Sequence, residues 1–97
     1  MWVENIDEIT VEYEENGVLL VKQEAKEVIT RGTWTTIAFL YREWDAKTNA
    51  FGPPKITLRK YRKLQGTYRQ ESKFNISNFE QASSIADVLK GWADKHQ

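Results

Sequence analysis

The chain has 97 residues, 40% of them hydrophobic and 12% aromatic, enough for one core and too few for two domains. Fourteen basic residues balance fourteen acidic ones, so the whole-protein field favours neither nucleic acid nor membrane, and any such preference must come from local charge distribution. Cysteine is absent, which excludes disulfides, thiolate metal sites and cysteine nucleophiles and fits a reducing, cytoplasmic setting.

Residues 1 to 15 carry six acids (Glu4, Asp7, Glu8, Glu12, Glu14, Glu15) and no base. With no basic region and no apolar run, the stretch reads as neither a signal peptide nor a membrane span. It is a solvated acidic face, or an arm that lies against a basic surface of its own chain or of a partner. Ile9, Val11 and Tyr13 alternate with polar residues, which predicts a first strand over 8–14. Asn16 and Gly17 are a type I′ turn signal, and a second strand follows over 18–30.

The third strand, 33–45, is the most apolar. Ile37, Phe39 and Tyr41 point one way, while Trp34, Ala38, Leu40 and Trp44 point the other, so both faces want cover. A domain of this size with one helix covers only one face. The second is expected to meet another copy of the chain, unless the first two strands curl over it. Residues 45 to 54, with Asn49, Gly52, Pro53 and Pro54, read as a long loop.

From Lys55 to Lys73 the charge is concentrated: Lys55, Arg59, Lys60, Arg62, Lys63, Arg69 and Lys73 against the single acid Glu71. The pattern is strand, turn, strand, over 54–63 and 67–76. A three-residue loop of Leu64, Gln65 and Gly66 pairs Lys63 with Thr67, Ile56 with Phe74 and Leu58 with Ser72. Ile56, Leu58, Tyr68 and Ile76 then form the core face. Lys55, Thr57, Arg59, Tyr61, Lys63, Arg69 and Lys73 form a basic outer face containing one ring. A two-residue loop would set Arg62 beside Arg69 and Lys73 beside Leu58, and like-charge facing disfavours it.

Ser77 to Glu80 reads as a capping box opening a helix over 78–94. Its stripe of Phe79, Ala82, Ile85, Ala86, Leu89, Trp92 and Ala93 predicts core packing. Catalysis has little support: the lone histidine, His96, sits in a terminus expected to fray, and no nucleotide-binding or zinc-protease motif occurs. No catalytic residue, metal ligand or cofactor is assigned. The expected fold is α+β, an antiparallel, strongly twisted sheet of four to five strands with one C-terminal amphipathic helix packed on one face.

Ile56, Thr57, Leu58, Arg59, Lys60 and Tyr61, then Gly66 to Tyr68, then Lys73 to Ser77 running into a helix, resemble the transcriptional positive cofactor four family over residues 54–95. The resemblance implies a four-stranded sheet closed by a helix, a homodimer, and binding of single-stranded DNA through Arg59, Tyr61 and Lys73. Phe74 and Asn75 depart from that pattern, as does Arg62 where a second aromatic is often found. A second alignment, starting at Tyr41 to Trp44 and continuing through Gly52, Pro53 and Lys55 to Leu58, recovers the second aromatic but leaves the helix one hairpin late.

Two functions follow as expectations. One is a non-catalytic domain holding single-stranded DNA or RNA on Lys55, Arg59, Tyr61, Lys63, Arg69 and Lys73, with Tyr61 stacking on bases and the cations on phosphates. The other is a self-assembly module in which the acidic and basic strands pair between subunits. A homodimer, and no membrane partner, are expected.

Overall fold

Two of the turns need backbone that few residues adopt. Asn16 and Gly17 lie at φ 53° and 81°, and Gln65 and Gly66 at 51° and 82°. Consecutive left-handed residues make tight two-residue hairpins whose twist matches that of the flanking strands, and these hairpins set the register of the sheet. The computed structural model describes residues 2–97, the side chain of Trp2 excepted. Its elements are β1 (Trp2–Val3), β2 (Tyr13–Glu15), β3 (Val18–Thr30), β4 (Trp34–Asp45), β5 (Ala50–Phe51), β6 (Lys55–Leu64), β7 (Thr67–Ile76) and the helix α1 (Phe79–Lys95).

The strands form one antiparallel sheet in the order β1-β7-β6-β4-β3-β2, with β5 folding back on the end of β4. This is the expected α+β class. Two details differ from the sequence reading. The first predicted strand pairs only from Tyr13, because Ile6–Glu8 coil into a 3-10 turn capped by the Asn5 side chain. The predicted loop at 45–54 contains β5, held by an edge-to-face pair of Trp44 and Phe51 with ring centroids 5.3 Å apart.

The sheet curls, and its concave side is the core. Ile37, Phe39 and Tyr41 of β4 and Tyr61 and Tyr68 of the hairpin are buried there. The chain between β1 and β2 crosses this side as a strap and adds Ile6, Ile9 and Val11. Since β1 pairs with β7 and β2 with β3, the strap runs from one edge of the sheet to the other. Lys26 fastens it from below, its Nζ donating to the carbonyls of Ile6 and Ile9 at 2.7 and 2.8 Å. The Gln23 carboxamide oxygen accepts from the Thr10 hydroxyl and the Val11 amide. The buried hydroxyls are satisfied: Thr57 donates to Asn75 Oδ1 and Thr35 to the Gly32 carbonyl.

The helix departs most from expectation. Its cap is Asn78, whose side chain accepts from the Gln81 amide, while Gln81 Oε1 accepts from the Ser77 amide. This resembles the reciprocal box predicted for Ser77 and Glu80, moved one residue along, except that the glutamine takes the amide before the cap and not the cap's own. None of its residues is buried, and Phe79, Val88, Leu89 and Trp92 are all about half exposed or more. Of the apolar stripe predicted to pack in the core, Ala82 and Ile85 are partly covered and the remainder is exposed, since the strap has already filled the concave side. The radius of gyration, 15.4 Å, exceeds the roughly 12.5 Å of a compact domain this long, as expected for a projecting helix.

Candidate nucleic-acid interface

The basic hairpin β6–β7 turns on two residues, with Leu64 facing Thr67. Lys63 therefore faces Tyr68 and Arg62 faces Arg69, the like-charge pairing that the sequence disfavoured. The ladder then slips: Tyr61 faces Gln70 but Lys60 faces Ser72, so Glu71 is the extra residue of a β-bulge. Beyond it Leu58 meets Phe74, Arg59 meets Lys73 and Ile56 meets Ile76. The bulge keeps Lys73 away from Leu58, which removes half of the objection to the short turn. The pairs expected from a three-residue loop, Ile56 with Phe74 and Leu58 with Ser72, do not form.

On β6 the faces are reversed as well, whereas Tyr68 and Ile76 of β7 are buried as expected. Thr57 and Tyr61 look into the core, because register with β4 sets them beside Phe39 and Thr35. Ile56 and Leu58, the expected core residues, lie on the other, convex side and are only half-buried. Tyr61 is 6% exposed and cannot serve as an open stacking platform. Burial raises its pKa above 10, with Arg59 pulling the other way.

The six predicted site residues thus divide. Lys55 lies at the far end of β6 and is ion-paired to Glu43; the hydrogen bond it donates to that carboxylate raises its pKa. Arg59 is half-buried, giving Nη1 to Gln70 Oε1 at 3.2 Å. Lys63 lies over the Tyr68 ring, 5.4 Å from its centroid. Lys73 is exposed opposite Arg59, on the same side. Arg69 is on the convex side, apart from all of these.

What the structure brings together is a different set. Trp34 opens β4 on the convex side, with Arg62 directly across from it in the ladder. Lys60 Nζ is 4.7 Å and Arg62 Cζ 5.4 Å from the centre of its ring. Arg69 adjoins Arg62, and Trp34, Lys60, Arg62 and Arg69 are all exposed. Three cations and an indole therefore share one accessible patch at the hairpin end of the sheet. The signal was in the sequence: Trp34 belonged to the second apolar face of its strand, and Lys60 and Arg62 share parity on theirs. Assigning that parity to the core hid all three.

Below the patch the convex side becomes apolar. Ala25, Ala38, Leu40 and Ile56 line a shallow groove of about 270 Å³, and Phe74 is 52% exposed nearby on the same side. Among the described residues no helix is long and apolar enough to cross a membrane. Compared with family models, curated proteins and solved structures, the chain finds no match.

Proposed function

We propose that this chain binds single-stranded DNA or RNA at the convex hairpin end and works as a homodimer. The observation that carries the reading is the patch of Trp34, Lys60, Arg62 and Arg69. Single strands offer unstacked bases together with phosphates, and a ring fringed by guanidinium and ammonium groups suits both. The Arg62 plane can carry a base as readily as the indole can. The family resemblance supports the same partner and the dimer, and adds a transcription-related role. It placed the contacts on Arg59, Tyr61 and Lys73, and burial of Tyr61 argues for the convex patch instead.

Titration of labelled oligonucleotides tests this directly. Affinity should fall steeply with salt, and Lys60→Glu with Arg62→Glu should abolish it. Absence of binding to any oligonucleotide at low salt would remove the proposal.

A second reading, a self-assembly module, has its own support in the uncovered helix. One chain carries both an apolar helix stripe and an apolar sheet groove, and two copies related by a two-fold axis satisfy both. The version in which acidic and basic strands pair between subunits finds less support, since β1 already occupies the edge of β7 within the chain. Light scattering together with the oligonucleotide titration separates the readings: a dimer without nucleic-acid affinity leaves only the second, and a monomer removes it.

A further inference from the structure

The concave side holds an independent feature. Between the strap and the β6–β7 hairpin lies a pocket of about 250 Å³. Ile9, Val11, Tyr61 and Tyr68, all buried, give it an apolar lining, and Arg59 and Gln70 supply its polar edge. An apolar cavity of about 150 Å³ accommodates benzene, so this one has room for a ring and a short side arm.

The electrostatics of Arg59 are unbalanced. A guanidinium has five N–H donors, and a buried charge is costly without partners. Here Nη1 reaches Gln70 Oε1, while Nε is shut off from solvent with no acceptor. Among the described residues no carboxylate forms an ion pair with it. Its cross-strand neighbour is another cation, Lys73. The Tyr61 phenol oxygen accepts a hydrogen bond from Arg59 but, being neutral, leaves its charge uncancelled.

We propose that this pocket binds a small organic carboxylate with a flat apolar body, the acid group received by Arg59 and the ring lying against Tyr61 and Tyr68. One guanidinium in an apolar lining suits a singly charged acid. A phosphate dianion would bring a second negative charge that a single guanidinium in an apolar lining leaves uncompensated. The site is on the face opposite the convex patch, so it stands or falls apart from nucleic-acid binding.

Hydrocinnamate and its neutral amide, titrated by ligand-observed NMR and thermal shift, provide the test. The acid should bind and raise the melting temperature. The amide should bind at least about tenfold more weakly, the scale of one lost hydrogen bond to a charged group. Gln70 is exposed, so Gln70→Glu should fold and set a carboxylate beside Arg59, abolishing acid binding while leaving oligonucleotide affinity unchanged. Equal affinities for acid and amide, undiminished binding in Gln70→Glu, or no binding of the acid at millimolar concentration would each overturn the proposal.

Discussion

Arg62 and Arg69 stand directly opposite each other across the β6–β7 ladder. Cross-strand like charges are unfavourable, and a glutamate at either position would turn repulsion into attraction worth about 0.2–1 kcal/mol. Arg62→Glu also gives up its contact with the Trp34 ring, worth about 0.5–1 kcal/mol at an exposed site. The two effects offset, and urea unfolding of Arg62→Glu should be unchanged within about 1 kcal/mol. Oligonucleotide affinity should nonetheless collapse, and the salt slope should flatten by about 0.7 per phosphate contact removed. Trp34→Ala should cost about 1–3 kcal/mol of binding for each base it stacks, read by fluorescence anisotropy.

Helix and core should respond oppositely to substitution. Leu89→Glu with Trp92→Glu touches side chains more than half exposed, so monomer stability should shift by no more than about 0.5 kcal/mol. Self-association, followed by sedimentation, should disappear. Phe39→Ala, at a side chain 1% exposed, should instead cost about 3–5 kcal/mol at any protein concentration.

Gln65 occupies a left-handed position, φ 51°, that asparagine fills more readily. Gln65→Asn should stabilise the hairpin by roughly 0.5 kcal/mol, measured as a higher denaturant midpoint with unchanged m-value. Gly66→Ala, at φ 82°, should lower that midpoint.

Alkaline pH should expose opposing contributions. Lys55, hydrogen-bonded to Glu43, has its pKa raised above the usual 10.5. Its contribution is complete below 10.5 and is lost as pH climbs through the folded value. Burial raises the pKa of Tyr61, and since the unfolded phenol ionises first, stability drains from about pH 10 upward. Lys26 runs the other way: burial lowers its pKa, Arg31 adds to this and Asp7 opposes it, so its penalty is relieved as pH rises. Denaturant midpoints between about pH 8 and 11 should therefore decline, less in Glu43→Gln and Tyr61→Phe, and more in Lys26→Met.

The long strands and the helix could be read from sequence because their signals are local. The turn signals at Asn16–Gly17 and at Gly66, and apolar periodicity in between, placed β3, β4, β6, β7 and α1 to within one residue. Which face goes inward is not a local property. Ile56 and Leu58 are more hydrophobic than Thr57 and Tyr61, yet register with β4 and the arrival of Ile9 and Val11 decide the matter. A bulge at Glu71 shifts pairing by a residue without leaving a mark in composition. The positive charge of the hairpin was therefore legible, and the ring it surrounds was not.

The strap that joins both margins of the sheet has a consequence for biogenesis. Val3 pairs with Tyr68, a partner about two thirds of the chain away, so β1 and the strap cannot dock until β7, synthesised well after them, has followed. Such distant pairing makes for slow closure. Until it happens, Ile6, Ile9 and Val11 remain available to chaperones, and the nascent sheet presents two open borders to its neighbours.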